Sequence, residues 1–292
     1  MTTLVSGLID VFADSPLGGN PLAVVEGGDA LPEHTLRRIA GELNQAETTF
    51  IMPSTRADWK LRSFTASGAE VSGAGHNALG AWLWLGHHGR LGALDTATTF
   101  QQEIGSSVLP ITMEARGGRV HGRMRQTALR LSPPLGELAP LAAALGLPTA
   151  DLVTDPAPRA ADTGAAHLMV RVQDPSTVDR ARPDSDQLLA VLRTAGAEGC
   201  YVYAFDAAAP EAAYARFFNP TVGLWEDAAT GTAAGPLCAY LGSEGLLGPD
   251  RTLVVEQGVR MGRPSLLHVR LVPEPELSGS GVVVLRGWLD LR

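Results

Sequence analysis

Short stretches of alternating apolar and polar residues dominate the chain, and this period-two pattern predicts strands. The predicted strands are 4–12, 21–26, 47–52, 58–65, 97–103, 107–115, 119–126, 166–173, 199–206, 211–218, 251–257, 265–272 and 280–290. Apolar residues at helical spacing predict fewer elements, at 32–44, 75–88, 137–145, 186–196 and 231–243. Regular strand–helix alternation is missing and several strands follow one another directly, which indicates an α+β fold with a mostly antiparallel sheet.

An internal repeat divides this pattern into two similar halves. Residues 70–92 align with residues 226–248 at an offset of 156, and eight of the 23 aligned pairs are identical. A strand, a small-residue turn and an apolar helix recur in the same order, which predicts a duplicated unit. Because a proline-containing segment begins at 129, we expect an N-terminal half at 1–128, completed by the C-terminal strand 280–292, and a C-terminal half at 129–279.

Each copy of the repeat places glycine at the start of its helix. Gly75-His76-Asn77 and Gly231-Thr232-Ala233 would therefore lie at helix N-termini. Free backbone N–H groups and the helix dipole favour an anion at such a position. We expect the two termini to bind a small carboxylate in a cleft between the halves.

Composition excludes several other kinds of chemistry. The net charge is −8 and the 23 basic residues include a single lysine, Lys60, so neither a nucleic-acid surface nor Schiff-base chemistry is expected. The sequence shows no metal-ligand spacing, no span of membrane length and no export signal. These patterns predict a soluble, cytoplasmic protein that binds neither metal, membrane nor nucleic acid.

Four separated blocks carry a family resemblance. They are DVFADSPLGGNPLAVV at 10–25, LNQAETTF at 43–50, AGH at 74–76 and EDAATGT at 226–232. In this order they resemble the PhzF family of phenazine-biosynthesis proteins, within the diaminopimelate-epimerase-like superfamily. The resemblance implies two similar halves, each a curved, mostly antiparallel sheet wrapped around a central helix, with the active site in the cleft between them.

The same resemblance implies roles for individual residues. Glu47 is the expected proton carrier, assisted by His76 and Asp227. The expected substrate-binding residues are Asn20, Gly75, Asn77, Thr230, Gly231 and Thr232. The family also implies a homodimer that needs no cofactor and acts on a small carboxylate-bearing molecule.

The two cysteines favour carboxylate chemistry over thiol chemistry. Racemases and epimerases of the superfamily place a thiol at each helix start, and those positions here hold Ala74 and Thr230. Cys200 falls in a predicted strand and Cys238 lies inside a predicted helix. A carboxylate with a raised pKa remains the expected proton carrier, and this suits proton movement between two positions of one substrate.

Departures from the family pattern affect the expected substrate. The family's aromatic residue, proline and second proline around AGH are replaced here by Ser72, Gly73 and Asn77, and Ala228 and Thr232 replace proline and serine in the second block. A missing ring at Gly73 should open space, and Asn77 should add polar groups. We therefore expect a substituted pyrroline or diene acid of specialised metabolism rather than the phenazine precursor dihydro-hydroxyanthranilate.

Besides proton movement between two positions of one substrate, three functions are consistent with parts of the sequence pattern. An epimerase or racemase could use the same carboxylate, and a member of the fold could bind a small molecule without catalysis. The residues Gly73–Ala78 also match G-x-G-x-x-A, which would suit an NAD(P)-dependent oxidoreductase. That motif alone is weak, because the preceding strands are predicted to form a hairpin rather than the first strand of a βαβ unit.

Overall fold

The chain divides into two units, and each has strands around its own central helix. The computed structural model describes residues 2–71, 73, 75–222 and 224–291. Unit 1 comprises Met1–Met124 with Ser278–Arg292, and unit 2 comprises Arg125–Leu277.

Unit 1 is a sheet that closes on itself. Its elements are β1 (Thr2–Val11), β2 (Asn20–Glu26), α1 (Glu33–Leu43), β3 (Glu47–Met52), β4 (Trp59–Thr65), β5 (Glu70–Val71), α2 (His76–His87), β6 (Thr98–Ile104), β7 (Ser107–Arg116), β8 (Arg119–Arg125) and most of β17 (Pro275–Leu291). Hydrogen-bonded pairs connect β1, β2, β3, β4, β6, β7, β8 and β17 in that order, and β17 returns to β1. This ring leaves no open edge among these strands.

Helix α2 fills the centre of the unit 1 ring. All of its residues from His76 to Leu85 are buried, which suits a helix that is apolar nearly all round. The Trp82 indole N–H donates to Gln102 Oε1 at 3.0 Å, and the Trp84 indole N–H donates to Glu26 Oε1 at 2.9 Å. Each ring contributes about 2–3 kcal/mol of hydrophobic stabilisation while its polar atom stays hydrogen-bonded.

Unit 2 repeats the same order of strand pairings. Its elements are β9 (Arg130–Leu131), α3 (Ala139–Leu145), β10 (Arg159–Asp162), β11 (Ala166–Val172), α4 (Pro175–Arg180), α5 (Ser185–Ala195), β12 (Gly199–Phe205), β13 (Ala212–Asn219), β14 (Leu224–Asp227), α6 (Gly231–Ser243), β15 (Thr252–Gln257) and β16 (Ser265–Leu271). The pairs β11–β12 and β13–β15 are parallel, as are β2–β3 and β4–β6 in unit 1. The other pairs with a described register are antiparallel.

The strands of unit 2 separate two apolar layers. Helix α6 lies on one side of the sheet, and its residues from Ala233 to Leu241 are buried. On the other side, Cys200 and Val202 of β12 pack with the outer helices α3, α4 and α5. Because side chains alternate along a strand, Tyr201 and Tyr203 point toward α6 instead. Helix α1 covers the outer side of unit 1 in the same way, packing on Phe50, Met52 and Phe64.

The predicted α+β fold with a mostly antiparallel sheet and a central helix in each half is confirmed. The longer elements lie within a few residues of their predicted positions, and β3 and α6 match the predicted bounds. Five short elements have no counterpart among the predicted ones, because two to six residues are too few to show a hydrophobic period: β5, β9, β10, β14 and α4.

Candidate active site

In unit 1 the strands bring Asn20 and Glu47 to the end at which α2 begins. Leu22 pairs with Glu47 across the parallel β2–β3 ladder, and the β2 segment starts at Asn20. Gly19 has a φ of 62°, and a Cβ there would lie 2.3 Å from the carbonyl oxygen of Val11, so the turn before Asn20 requires glycine. Glu47 lies two residues before Thr49 and therefore on the same, helix-facing side of β3.

The Asn77 side chain organises the α2 N-terminus from within. Its Nδ2 donates to Ser63 Oγ at 3.1 Å and to the Gly73 carbonyl oxygen at 2.9 Å, and its Oδ1 accepts from the Gly75 N–H at 2.7 Å. The Thr49 hydroxyl lies 2.9 Å from Ser63 Oγ and contacts the Asn77 carbonyl. Both amide protons of Asn77 are thus used inside unit 1. The expectation that Asn77 adds donor groups for a substrate needs correction, because only one lone pair of Oδ1 remains.

His76 is the first residue of α2 and is nine-tenths buried. Its Nε2 is shielded from solvent and has no hydrogen-bond partner among the described residues. Buried polar atoms in folded proteins almost always have a partner, so an unpaired imidazole nitrogen at a helix N-terminus indicates a place for a ligand. One oxygen of the Glu47 carboxylate, Oε2, is likewise shielded from solvent.

In unit 2 a buried amide, Gln257, connects Asp227 to the α6 N-terminus. Its Nε2 donates to the Asp227 carbonyl oxygen at 2.8 Å and to Thr230 Oγ1 at 3.0 Å, and its Oε1 accepts from the Thr230 N–H and from the Tyr201 hydroxyl. The Thr230 hydroxyl donates to Asp227 Oδ2 at 2.6 Å. Burial, with the nearby Asp227 charge, raises the pKa of Tyr201 well above its usual value, so this hydroxyl stays a donor.

Gly231 and Thr232 form the first turn of α6, next to this network. Their backbone N–H groups have no intrahelical acceptor, since they precede the first helical hydrogen bonds. The Gly231 carbonyl accepts from Gln126 Nε2 at 2.9 Å. The partly exposed Thr232 lies with its Oγ1 3.2 Å from Nε2 of the buried His167. Unit 2 thus brings Asp227, Thr230, Gly231 and Thr232 together at one helix N-terminus.

Sequence reasoning missed Gln257, Tyr201 and His167. Gln257 ends a strand and lies 56 residues from Tyr201, and His167 lies 65 residues from Thr232. A local pattern does not reveal such residues, because strand pairing alone brings them to α6. The alternation of β11 and β12 does predict that His167 and Tyr201 face the same side.

Matching ion pairs align the two units residue by residue. Arg62 of β4 binds Glu70 of β5 at 2.7 Å, and Arg216 of β13 binds Glu226 of β14 at 2.8 Å. Each guanidinium also stacks on the phenylalanine two residues later, at 5.1 Å from the Phe64 centroid and 4.8 Å from that of Phe218. Glu70 and Glu226 thus make the same kind of ion pair at equivalent places in the two units.

In this alignment of the two units, Glu47 of unit 1 corresponds to Gly199 of unit 2. Thr49 is opposite Ser63 in β3–β4, and Tyr201 is opposite Phe217 in β12–β13, so the residues two positions earlier, Glu47 and Gly199, correspond. A Cβ on Gly199 would lie 2.3 Å from Cζ of Phe217. The aromatic ring thus occupies the space beside this position, and unit 2 has no carboxylate where unit 1 has Glu47.

Neither cysteine is placed for chemistry. Cys200 and Cys238 are buried in β12 and α6, and burial raises both thiol pKa values, that of Cys238 to about 12. Thr230 occupies one of the two expected thiol positions, while Ala74 and the neighbouring Ser72 lie outside the described residues. Within the described part of the chain, no group of three or more His, Cys, Asp or Glu residues is arranged to hold a metal ion.

Comparison with known proteins identifies the family. The sequence profile of the PhzC-PhzF family, phenazine biosynthesis-like proteins, matches residues 9–287. The chain belongs to this family. A trans-2,3-dihydro-3-hydroxyanthranilate isomerase of Pseudomonas chlororaphis is 31% identical over 97% of the chain and 98% of the relative, and an uncharacterized isomerase of Clostridium acetobutylicum is 29% identical over 97% of each. The crystal structure of a PhzF-family phenazine biosynthesis protein of Bacillus anthracis superposes with a TM-score of 0.85 at 26% identity, covering both chains completely.

Family membership decides between the enzyme classes. The PhzF-like chain is an isomerase, as its full-length relatives are named. The alternatives of a non-catalytic binding protein and of an NAD(P)-dependent oxidoreductase are therefore set aside. In the structure, the glycine motif at 73–78 follows the short antiparallel strand β5 rather than the first strand of a βαβ unit. None of the described helices has the length and apolar character needed to cross a membrane.

Proposed function

We propose that the protein is a cofactor-independent isomerase that moves a proton, and with it a double bond, within a small unsaturated carboxylic acid. Glu47 takes the proton from one carbon and returns it to another. The observation that carries this proposal is that the position of Glu47 in unit 1 corresponds to a glycine, Gly199, in unit 2. Two equivalent bases, one in each unit, would suit a racemase, whereas one carboxylate suits a base that both removes and returns the proton.

His76 and Asp227 are proposed to assist Glu47. Support for His76 comes from its buried Nε2, which has no protein partner and would be satisfied by a substrate oxygen. Asp227 is held by Thr230 and by Gln257 through its backbone, so its carboxylate has a fixed position. The N–H groups at the start of α2 and α6 are suited to bind a carboxylate and to stabilise the negative charge that develops on proton removal.

The substrate is proposed to be a substituted pyrroline or diene acid of specialised-metabolite biosynthesis. A Cβ added to Gly73 would meet no heavy atom within 4 Å. The space that a ring fills at this position in other family members is therefore open here. This favours an acid of different shape from trans-2,3-dihydro-3-hydroxyanthranilate, on which the Pseudomonas relative acts by name.

A substrate panel with one matched pair of variants tests the proposal. Purified protein is mixed with pyrroline carboxylic acids, cyclic diene acids and trans-2,3-dihydro-3-hydroxyanthranilate, and loss of the conjugated chromophore is followed by absorbance. Glu47→Gln should lower kcat about 10²–10⁴-fold on the acid that is turned over. Glu42→Gln, the same change on the exposed face of α1, serves as the control.

The outcomes separate substrate from mechanism. Unchanged turnover by Glu47→Gln would remove Glu47 as the proton carrier. Efficient turnover of trans-2,3-dihydro-3-hydroxyanthranilate would instead contradict only the substrate class. Racemisation of a saturated amino acid would favour the epimerase alternative.

We also propose that the protein is cytoplasmic and, as the family resemblance implies, a homodimer. Leu285 and Trp288 of β17 support a protein interface, since they are 51% and 73% exposed. Light scattering after size-exclusion chromatography should give twice the mass of 30.6 kDa. Trp288→Glu should shift the mass toward the monomer, and a monomeric wild type at micromolar concentration would contradict the proposal.

A further inference from the structure

His167 is a buried histidine that the proposed reaction does not yet use. It lies on β11 at 2% exposure, and its ring meets Phe217 edge to face with a centroid distance of 4.9 Å. Its Nε2 is 3.2 Å from Thr232 Oγ1 in the first turn of α6. Its Nδ1 is shielded from solvent and has no hydrogen-bond partner in the described part of the chain. The Thr232 hydroxyl is thus the polar contact of this ring.

The burial of the ring determines its protonation state. Burial lowers the pKa of His167 to about 4, so the imidazole is neutral near pH 7 and carries one N–H. A proton on Nδ1 would leave a buried N–H without an acceptor, a rare arrangement that costs about 1–3 kcal/mol. A proton on Nε2 is donated to Thr232 Oγ1. The Nε2–H tautomer is therefore favoured.

This tautomer determines what the Thr232 hydroxyl can do. When its oxygen accepts the hydrogen bond from His167, its single proton is available to another acceptor. Thr232 is partly exposed and stands beside the backbone N–H groups of Gly231 and Thr232 itself. The Thr230 N–H and hydroxyl are used within the protein, so the donors left at this helix start are the Thr232 hydroxyl and the backbone N–H groups of Gly231 and Thr232. In unit 1 the position that corresponds to His167 holds Leu22, whose side chain has no polar atom to orient a hydroxyl group.

We propose that His167 is a positioning residue that makes the Thr232 hydroxyl a hydrogen-bond donor to a carboxylate or carbonyl oxygen of the substrate. The use of that donor rests on the proposed function. The tautomer of His167 does not, because it follows from contacts within unit 2.

The first measurement concerns the tautomer alone. Histidine ¹⁵N chemical shifts are recorded on the full-length protein, and the His167 signals are assigned from their loss in His167→Gln. A neutral Nε2–H tautomer is expected from pH 6 to pH 8. A neutral Nδ1–H tautomer, or a cationic ring at pH 7, would overturn the proposal whatever the enzyme catalyses.

The second measurement tests donation to a ligand, with anthranilate as a planar carboxylate probe in calorimetry. His167→Phe and Thr232→Val should each weaken binding about tenfold, and the double variant should be no weaker than either single variant. His167→Gln, whose amide N–H can reach the place of Nε2, should regain most of the affinity. Wild-type affinity in His167→Phe, with thermal unfolding unchanged, would overturn the positioning role. Absence of anthranilate binding to wild type, together with an Nε2–H tautomer, would overturn donation to a planar carboxylate and leave the substrate class to the substrate panel.

Discussion

The N-termini of α2 and α6 occupy equivalent places in two units with the same order of strand pairings, yet they are built differently. At α2 a carboxamide from the helix itself, Asn77, holds the turn. At α6 the carboxamide is Gln257, which comes from a neighbouring strand and is fully buried. In each case the carboxamide oxygen accepts one backbone N–H at the helix start, that of Gly75 or that of Thr230. The two units therefore share an order of strand pairings but differ in the polar residues at their helix starts.

Under the proposed function, this divergence places the proton carrier in unit 1 and gives the helix start of unit 2 a binding role. Unit 1 has Glu47 with Thr49 and Ser63 nearby, whereas the corresponding residues of unit 2 are Gly199, Tyr201 and Phe217. His167 and Tyr201 pack against the Phe217 ring at 4.9 and 6.1 Å. Reactive and polar groups thus collect on the interior of β3 in unit 1, and an aromatic cluster supports the helix start in unit 2. An isomerase with a single proton carrier needs only one such carboxylate.

The largest difference in stability is expected at the matched ion pairs. Arg216 and Glu226 are 5% and 9% exposed, and Arg216 also donates to the carbonyl oxygens of Val178 and Ala181. Removing one partner leaves a buried charge, so Arg216→Met should lower the free energy of unfolding by about 3–5 kcal/mol. Arg62→Met, at the pair whose side chains are 22% and 37% exposed, should cost about 0–1 kcal/mol in the same urea titration. Equal losses would refute the distinction between the pairs.

The second difference concerns pH. The pKa of His167 is about 4 in the folded protein and about 6.5 unfolded, so the unfolded state binds the proton first as the pH falls. Between pH 6.5 and 4 the folded state should lose about 3 kcal/mol from this group, and above pH 6.5 nothing. Urea midpoints of wild type and His167→Gln should therefore converge on acidification. His34→Gln, at an exposed histidine, is the control, and parallel curves for wild type and His167→Gln would contradict this assignment.

A third test compares the two carboxamides. Gln257→Met should cost about 2–3 kcal/mol, since it leaves the Tyr201 hydroxyl and the Thr230 N–H buried without partners. Asn77→Leu should cost about 1–2 kcal/mol, because Ser63 and Thr49 can still bond to each other. Chemical unfolding measures the loss of stability in both variants. A larger loss for Asn77→Leu would contradict the expectation that the Gln257 carboxamide contributes more to stability than that of Asn77.

The smallest effect is expected at Gly199. Gly199→Ala would place Cβ 2.3 Å from Cζ of Phe217, which is closer than van der Waals contact allows. The shift of the ring that relieves this clash should lower the free energy of unfolding by about 1–2 kcal/mol. In a Phe217→Ser background, which copies the Ser63 of unit 1, the same alanine should cost less. Identical costs in both backgrounds would show that the ring does not exclude a side chain from this position.

The sequence predicted what depends on local pattern. The bounds of β3 and α6 follow from apolar spacing and glycine positions, and the two helix N-termini follow from the internal repeat. The short strands β5 and β14 were missed, although they carry Glu70 and Asp227, because two to four residues show no period. Asn77 was expected to serve a substrate, and only the position of Ser63 and the loop carbonyl of Gly73 reveals that it serves the turn. Gln257 and His167 gain their partners through strand register, which a single sequence does not encode locally.

The central claim is that one carboxylate, Glu47, removes and returns the same proton. The most direct test follows the migrating hydrogen in the acid that the wild type isomerises, labelled with deuterium at the carbon that loses it. Mass spectrometry and NMR of the first turnovers in H₂O should find part of the deuterium at the carbon that gains the proton. Complete loss of the label to solvent, with undiminished turnover by Glu47→Gln, would contradict the account.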